Sequence, residues 1–328
     1  MKIAVIRGDG IGPEVVNEAV KVLEALVPEI EFVEGEAGYG CYKKSGTPVP
    51  KETINLCRES DSVLFGAVTT PPAIPGYKSA IITLRKELDL YANVRPVASL
   101  PIAQSRKNIN LVIVRENTEG LYSGIEKSDG EVAIAQRVIS KKASERIAAF
   151  AFRLAKKHVT IVHKANVLRE TCGLFRKTAL DVASRYPHIM ADEMLVDAMA
   201  MRLVRDPENF EVIVTTNLFG DILSDEASML VGGLGVAPSG NIGDSYSVFE
   251  PVHGSAPDIA GKGLANPIAA ILSAGMMLEH LGKWREAERL RSAVNDALAE
   301  KILPPDLGGN AKTREMTDSI LKKLEAGD

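Results

Sequence analysis

Lys2-Ile3-Ala4-Val5-Ile6 runs into Gly8-Asp9-Gly10-Ile11-Gly12 and then Pro13-Glu14. The apolar run reads as a short buried strand, the glycines as a tight turn, and Pro13 sits where a first helical turn tolerates proline. Helical spacing continues through Val15, Val16, Ala19, Val20, Val22 and Leu23. Outward from this strand–loop–helix unit, Glu31–Glu34 reads as a second strand and residues 61–66 (Asp-Ser-Val-Leu-Phe-Gly) as a third. A loop with Pro71, Pro72 and Pro75 closes the latter. A helix from about Ser79 to Leu90 is expected to end at the turn before Arg95-Pro96. Strands alternating with helices define an α/β protein.

Beyond Pro96, residues 110–114, 159–162 and 212–215 are strand candidates, with helices near 144–157 and 174–184. An Asp129-Gly130 turn within 123–139 predicts a protruding hairpin. Residues 231–257, rich in Gly, Pro and Ser, read as a long functional loop. Helices return at 267–281 and 284–301. A chain of 328 residues exceeds the usual span of one core, so two lobes enclosing a cleft are expected.

Composition narrows the function. With 39 Lys+Arg against 43 Asp+Glu, the net charge of −4 gives no electrostatic driver for nucleic acid or anionic membranes. The 45% hydrophobic and 25% charged content excludes collagenous and disordered classes. Cys41, Cys57 and Cys172 form no C-x-x-C pair and read as buried free thiols in a reducing cytosol. Met1 to Gly10 leaves no room for a signal-peptide core, and no apolar run reaches a membrane span, so a cytoplasmic protein is expected.

Gly8-x-Gly10-x-Gly12, with Glu34 further along, approaches a dinucleotide fingerprint, but the G-x-G-x-G spacing differs from G-x-G-x-x-G. A plain strand-to-helix turn is the alternative. The carboxylates say more. Asp221 and Asp225 lie four apart, on one face of a helix, and neither has Lys or Arg at i±3 or i±4. Asp197 lies within an apolar run. Three carboxylates converging from two segments suit a hard cation such as Mg²⁺ or Mn²⁺; helix capping and solvent exposure are the alternatives. Arg85, Arg95 and Arg115 offer planar forks for carboxylates, Arg115 at a strand end where α/β folds build sites. Lys164 also follows a strand and serves as a base where burial or cations lower its pKa; Tyr122 is a candidate proton donor.

These segments occur in a telling order. Residues 8–14, 91–96 (Tyr-Ala-Asn-Val-Arg-Pro), 114–122 (Val-Arg-Glu-Asn-Thr-Glu-Gly-Leu-Tyr), 163–166 (His-Lys-Ala-Asn), 217–225 and 250–261 together resemble the β-decarboxylating dehydrogenases, which act on 3-isopropylmalate, isocitrate, homoisocitrate or tartrate. The resemblance covers essentially the whole chain. It implies an isopropylmalate dehydrogenase-like two-domain α/β fold that is not a Rossmann fold, which makes the glycine loop a decoy. The first domain would be 1–97 plus 232–328 and bind NAD; the second, 98–231, would mediate dimerisation through an arm near 123–139. Each active site of the homodimer would be shared, with Lys164 and Asp197 from one subunit and Asp221 and Asp225 from the other. Whether dimers pair into tetramers stays open.

The resemblance also implies roles. Asp197, Asp221 and Asp225 would hold Mg²⁺ or Mn²⁺, with Asp197 also contacting substrate. Lys164 would take the 2-hydroxyl proton, Tyr122 would protonate the enolate carbon, and Arg85, Arg95 and Arg115 would grip carboxylates. Glu250, His253, Gly254, Ser255, Ala256, Pro257, Asp258 and Asn266 would form the cofactor site. Asp258 stands where NAD-using members bind the adenosine ribose; NADP-using isocitrate dehydrogenases have Lys-Tyr in place of Asp258-Ile259, so NAD is implied. Substrate choice is read before Leu84-Arg85. Ser79 keeps half of the Ser-x-Asn pattern of isocitrate dehydrogenases, but Ile81 replaces the asparagine. Ile81 and Ile82 fall where isopropylmalate enzymes pack Leu-Leu on the isopropyl group, whereas Lys78 replaces a common Glu and the segment is also similar to some homoisocitrate enzymes. The expected order is 3-isopropylmalate, homoisocitrate, then isocitrate. An inactive regulatory subunit is the non-enzymatic alternative, and the intact Tyr122, Lys164, Asp197, Asp221 and Asp225 argue against it.

Overall fold

In the computed structural model, residues 1–71, 74 and 77–326 are described. Pro72 and Pro75 of the expected proline loop lie outside them. The chain divides into two compact units: Met1–Leu90 with Leu100–Ser105 and Val231–Asp328, and Tyr91–Ser99 with Arg106–Leu230.

The first unit begins with β1 (Lys2–Gly8), α1 (Gly12–Leu26), β2 (Glu31–Gly35), α2 (Tyr39–Ser45), α3 (Lys51–Glu59), β3 (Ser62–Ala67) and α4 (Ala80–Glu87). The second holds β4 (Ala92–Ala98), β5 (Asn110–Glu116), β6 (Glu126–Ser128), β7 (Ala133–Ala135), α5 (Lys141–Leu154), β8 (His158–His163), α6 (Thr171–Ala183), β9 (Met190–Leu195), α7 (Val196–Arg205), β10 (Val212–Thr215) and α8 (Asn217–Met229). The chain then returns to the first unit with β11 (Pro238–Ile242), β12 (Ser247–Pro251), α9 (Ile268–His280), α10 (Trp284–Ala299) and α11 (Thr313–Ala326).

Strands of the first unit are ordered β2-β1-β3-β12-β11, parallel except for the β11–β12 pair. Those of the second are ordered β4-β5-β10-β8-β9, parallel except for β4–β5. Parallel strands covered by helices read as continuous apolar runs because both faces are buried. Ile3 to Ile6 in β1 and Ile213 and Val214 in β10 are fully buried. Helices α1, α9, α10 and α11 bury Val15, Val22, Ile271, Met277, Leu290 and Ile320 in one cluster with Ile3, Val5, Leu64 and Phe249. Cys41, Cys57 and Cys172 are free and buried, and burial pushes the Cys57 thiol up to about 12, leaving it an inert apolar filler. Among the described residues no helix is long and apolar enough to cross a membrane.

One expectation is corrected. Residues 231–257 are not one long loop: they contain β11 and β12, a buried hairpin in register from Pro238↔Pro251 to Ile242↔Ser247. Its Pro and Ser residues misled because Pro238 and Pro251 occupy the strand ends and the Ser62 and Ser247 hydroxyls bond each other at 2.8 Å. Residues 92–98, to which the sequence reading assigned no element, form β4, antiparallel to β5, and the helix before it ends ahead of Arg95-Pro96 as expected. The predicted 123–139 hairpin is present as β6 and β7, its turn closed by Asp129 Oδ1 accepting from the Glu131 and Val132 amides at 3.0 and 2.7 Å.

A loop residue at 249 would tolerate truncation. A core strand residue would not: Phe249→Ala should cost about 3–5 kcal/mol of unfolding free energy, measured by urea titration.

Candidate active site

The second unit gathers charge at strand ends. Arg115 closes β5 and is 1% exposed. Its Nε and Nη2 donate to Asn217 Oδ1 at 3.0 and 2.7 Å, and its Nη1 to Asp221. Arg95 donates from Nε to Asn93 Oδ1 at 2.7 Å and from Nη1 to Ser224 Oγ and Asp225 Oδ1 at 2.7 and 3.1 Å; its Nη2 lies 3.2 Å from Asp221 Oδ1. Tyr122, on a 3₁₀ turn at Leu121–Ser123, donates its hydroxyl to Asp221 Oδ2 at 2.5 Å and lies under the Arg115 guanidinium, 4.9 Å from ring centroid to Cζ. Asp221 thus receives two guanidiniums and a phenol. The missing i±3 and i±4 cations noted in the sequence are supplied from β4 and β5, a hundred and more positions away.

These contacts set the local acidities. Burial pushes the Tyr122 phenol above its ordinary value, and donation to the Asp221 carboxylate raises it further, so the phenol keeps its proton at neutral pH. Burial also raises the Asp225 carboxyl; Arg95 opposes this and the neighbouring Asp221 charge adds to it.

Lys164 follows β8 and pairs with Asp197 in the first turn of α7, where a helix N-terminus favours an acid. Hydrogen bonding to Lys164 holds the Asp197 carboxyl below its ordinary value. The Asp197 side chain is 58% exposed, so the apolar run around it did not bury it. Among the described residues no three His, Cys, Asp or Glu side chains gather in a metal-binding group within this one chain. The donor chemistry nevertheless fits a hard cation. Asp221 and Asp225, one turn apart on α8, and Asp197 are partly exposed carboxylates.

In the first unit, Ser79 precedes α4 without a side-chain cap, and Ile81 and Ile82 stand one turn before Arg85, on its side of the helix. Ile81 packs on the core, while Ile82 is partly exposed. Arg85 donates to Asn241 Oδ1 at 3.0 Å and to Glu250 Oε1 at 3.1 Å, and Asn241 Nδ2 donates to the same Glu250 oxygen at 2.8 Å. Glu250 is therefore a buried anchor for Arg85.

The 253–258 segment is braced by the opening glycine loop. The Ile11 amide donates to Ser255 O at 2.9 Å, and a Cβ at Gly10 would overlap that same carbonyl. Ser255 and Thr69 hydroxyls bond at 2.7 Å. Asp9 accepts from the backbone amides of Tyr39, Gly40 and Thr69 at 2.7 to 2.9 Å. Glu34, where a fingerprint acid would sit, is ion-paired to Arg7. The loop is a brace, with Ser255 backbone where a phosphate would have to lie. Gly254, Pro257 and Asp258 are exposed, and Ala256 takes a left-handed φ of 35°, a conformation non-glycine residues adopt at some cost. His253 Nδ1 lies 3.0 Å from Gly254 O, its Nε2 is buried with no partner, and burial pushes its pKa down. Asn266 is buried and bonded to Asp306. Sequence reading missed the partners Asn93, Asn217, Ser224 and Asn241, since a lone amide or hydroxyl carries no spacing signal.

Cations and carboxylates are arrayed at the ends of mostly parallel strands, where α/β folds build their ligand sites. The family described as isocitrate/isopropylmalate dehydrogenase matches residues 2–320, and the chain belongs to it. The homoisocitrate dehydrogenase of Methanocaldococcus jannaschii is 52% identical, over 99% of this chain and 98% of that one. The 3-isopropylmalate dehydrogenase of Methanothermobacter thermautotrophicus is 51% identical, over 99% of each. The crystal structure of isocitrate dehydrogenase from Methylococcus capsulatus superposes with a TM-score of 0.94 at 45% identity, covering 98% of this chain and 99% of that one. The protein is a β-decarboxylating dehydrogenase, of a family that uses NAD or NADP and a divalent metal.

Asp221→Asn removes the charged acceptor that stabilises the neutral phenol. The Tyr122 pKa should fall, read as the difference in ultraviolet phenolate titration between Asp221→Asn and Asp221→Asn/Tyr122→Phe.

Proposed function

We propose that this chain catalyses the NAD-dependent, divalent-metal-dependent oxidative decarboxylation of a 3-substituted malate, with 3-isopropylmalate its best substrate and 4-methyl-2-oxopentanoate the product, a step of leucine biosynthesis in the cytoplasm. The observation that carries the substrate choice is the pair Ile81 and Ile82 beside Arg85. An apolar substituent at C3 buried there contributes about 1.5–3 kcal/mol, whereas a carboxylate would meet no asparagine at position 81. Homoisocitrate is the second reading, favoured by exposed Lys78 next to Ser79 and by the 52% identical relative.

Arg95 and Arg115, already fixed by Asn93 and Asn217, present forks to the substrate carboxylates, and Arg85 contributes a third. Lys164, as its neutral amine, takes the C2 hydroxyl proton, and Tyr122 gives the phenolic proton to the carbon left by CO₂; the nicotinamide would supply the hydride acceptor for C2. Asp197, Asp221 and Asp225 would hold a divalent cation, which would supply Lewis-acid stabilisation of negative charge on the C2 oxygen. For Asp221 and Asp225 to serve, Arg95 and Arg115 must exchange those carboxylates for the substrate's. On the cofactor side, Asp258 repels a 2′-phosphate and so favours NAD, and Asn266 meets the adenine.

The active unit in this reading is a homodimer with shared sites, possessing Lys164 and Asp197 from one protomer and Asp221 and Asp225 from its partner. Support comes from bare apolar side chains in the second unit: Met201 and Val204 on α7, Ile222 and Met229 on α8, and Val132 and Ile134 on the arm, 47–67% exposed.

NADH formation is the direct measurement, with NAD and Mg²⁺ and with 3-isopropylmalate, homoisocitrate, isocitrate and D-malate compared. The highest kcat/KM should fall to 3-isopropylmalate; a preference for homoisocitrate moves the assignment to a chain-extension dehydrogenase. Lys164→Ala and Asp221→Ala should each be inactive. Mixed and allowed to exchange subunits, they should recover about a quarter of wild-type activity, because half the dimers then carry one intact site. No recovery after demonstrated exchange would place each site within one chain.

A further inference from the structure

Asp306 takes no part in the steps above, yet it touches a side chain assigned to the dinucleotide. It sits in a 3₁₀ turn, Pro305–Leu307, that follows Pro304. Gln104 Nε2 clamps that turn by donating to Leu307 O at 2.9 Å, and the Gly309 amide donates to Pro304 O at 3.1 Å. The carboxylate is therefore presented from a stiff support. Its Oδ2 accepts from Asn266 Nδ2 at 3.0 Å, while Asn266 Oδ1 accepts from the Ile268 amide at the start of α9 at 3.0 Å. The Asn266 amide is fixed at both ends, its oxygen spent on the helix and one N–H hydrogen to spare. Both groups rest directly on the Gly235 backbone: a Cβ there would overlap Asp306 Oδ2 and stand 3.0 Å from Asn266 Nδ2. Among the described residues no Lys or Arg pairs with Asp306, so its charge is committed to this contact.

His253 completes the pattern. With Nδ1 turned to Gly254 O, Nε2 is a buried acceptor with no donor. The Asp306 charge also reaches this imidazole. One spare amide donor and one unsatisfied ring acceptor complement an aminopurine edge, which offers a ring-nitrogen acceptor beside an amino donor. Were Asn266 flipped, it would present an acceptor instead and lose both of its present bonds.

We infer that Asp306 is a positioning residue for the adenine end of the cofactor site, holding the Asn266 amide in the polarity that a purine edge requires. The inference rests on the assignment of residues 253–266 to the dinucleotide and adds the residue that sets its hydrogen-bond sense.

The test is NADH binding by fluorescence titration, together with steady-state kinetics with NAD or the hydroxy acid varied, on wild type, Asp306→Ala, Asp306→Asn and His253→Ala. Asp306→Ala should weaken NADH and raise KM for NAD about tenfold, the worth of one hydrogen bond to a charged group. Both kcat and KM for the hydroxy acid should stay within about twofold of wild type, and Asp306→Asn, whose amide oxygen still accepts from Asn266, should recover most of the NADH affinity. If His253→Ala weakens NADH while Asp306→Ala does not, the inference falls and the cofactor site stands. If His253→Ala binds NADH like wild type, the cofactor assignment itself falls. If Asp306→Ala lowers thermal midpoint and hydroxy-acid affinity as much as NADH affinity, and Asp306→Asn rescues none of them, Asp306 is merely structural.

Discussion

Three donors converge on the Asp221 carboxylate: Arg95, Arg115 and the Tyr122 hydroxyl. Without a counter-charge, a guanidinium that is 1% exposed is a costly group. Most of the second unit is arranged around that constraint. β5 carries Arg115 to the end of a buried strand, β4 brings Arg95 beside it, and α8 places Asp221 and Asp225 one turn apart facing both. Asn93, Ser224 and Asn217 take up the guanidinium N–H groups the carboxylates leave, so the cations hold their shape whichever anion they face. The proposed function, a small polyanion and a cation at one site, would call for such interchangeable partners.

The 253–258 segment in the first unit, to which the cofactor is assigned in the proposed function, is built by a different device. Its loop has no helix of its own and is fixed by backbone and hydroxyl contacts from the glycine loop and Thr69, while Asp9 ties Thr69 to the start of α2. A segment at the very start of the sequence thus shapes one near residue 255 through close backbone approach, which only glycine at position 10 permits.

Much of this was legible in the sequence because periodicity and motif order are local. The Lys2–Ile6 run, the helix over Val15–Leu23 and the Asp129-Gly130 turn each announce themselves within a few residues, and the acids at 221 and 225 advertise an unexplained repulsion. What stayed hidden is non-local. Pro96 argues against a strand until β4 is known to pair with β5. β11 and β12 read as loop because small and hydroxylated residues fill a strand whose faces are already covered. Glu250 reads as a cofactor contact, and only the fold reveals Arg85 and Asn241 holding it. Asp306 lies outside every motif; its meaning arises from Gly235 and Asn266, neighbours only in space.

The first unit is assembled from both ends of the sequence, and that imposes an order on biosynthesis. Strand β3 receives its partner β12 late: Ser62 and Ser247, which bond each other, are 185 positions apart. At about 5–20 residues per second the ribosome needs on the order of 10–40 s to cross that gap. During that interval β3, apolar from Val63 to Ala67, offers a bare parallel edge to any passing strand. The second unit, nearly continuous from Arg106 to Leu230, can fold within the same interval. The nascent chain therefore emerges with its middle finished and its beginning waiting, a state in which a chaperone that shields β3 has more to do than at any later time.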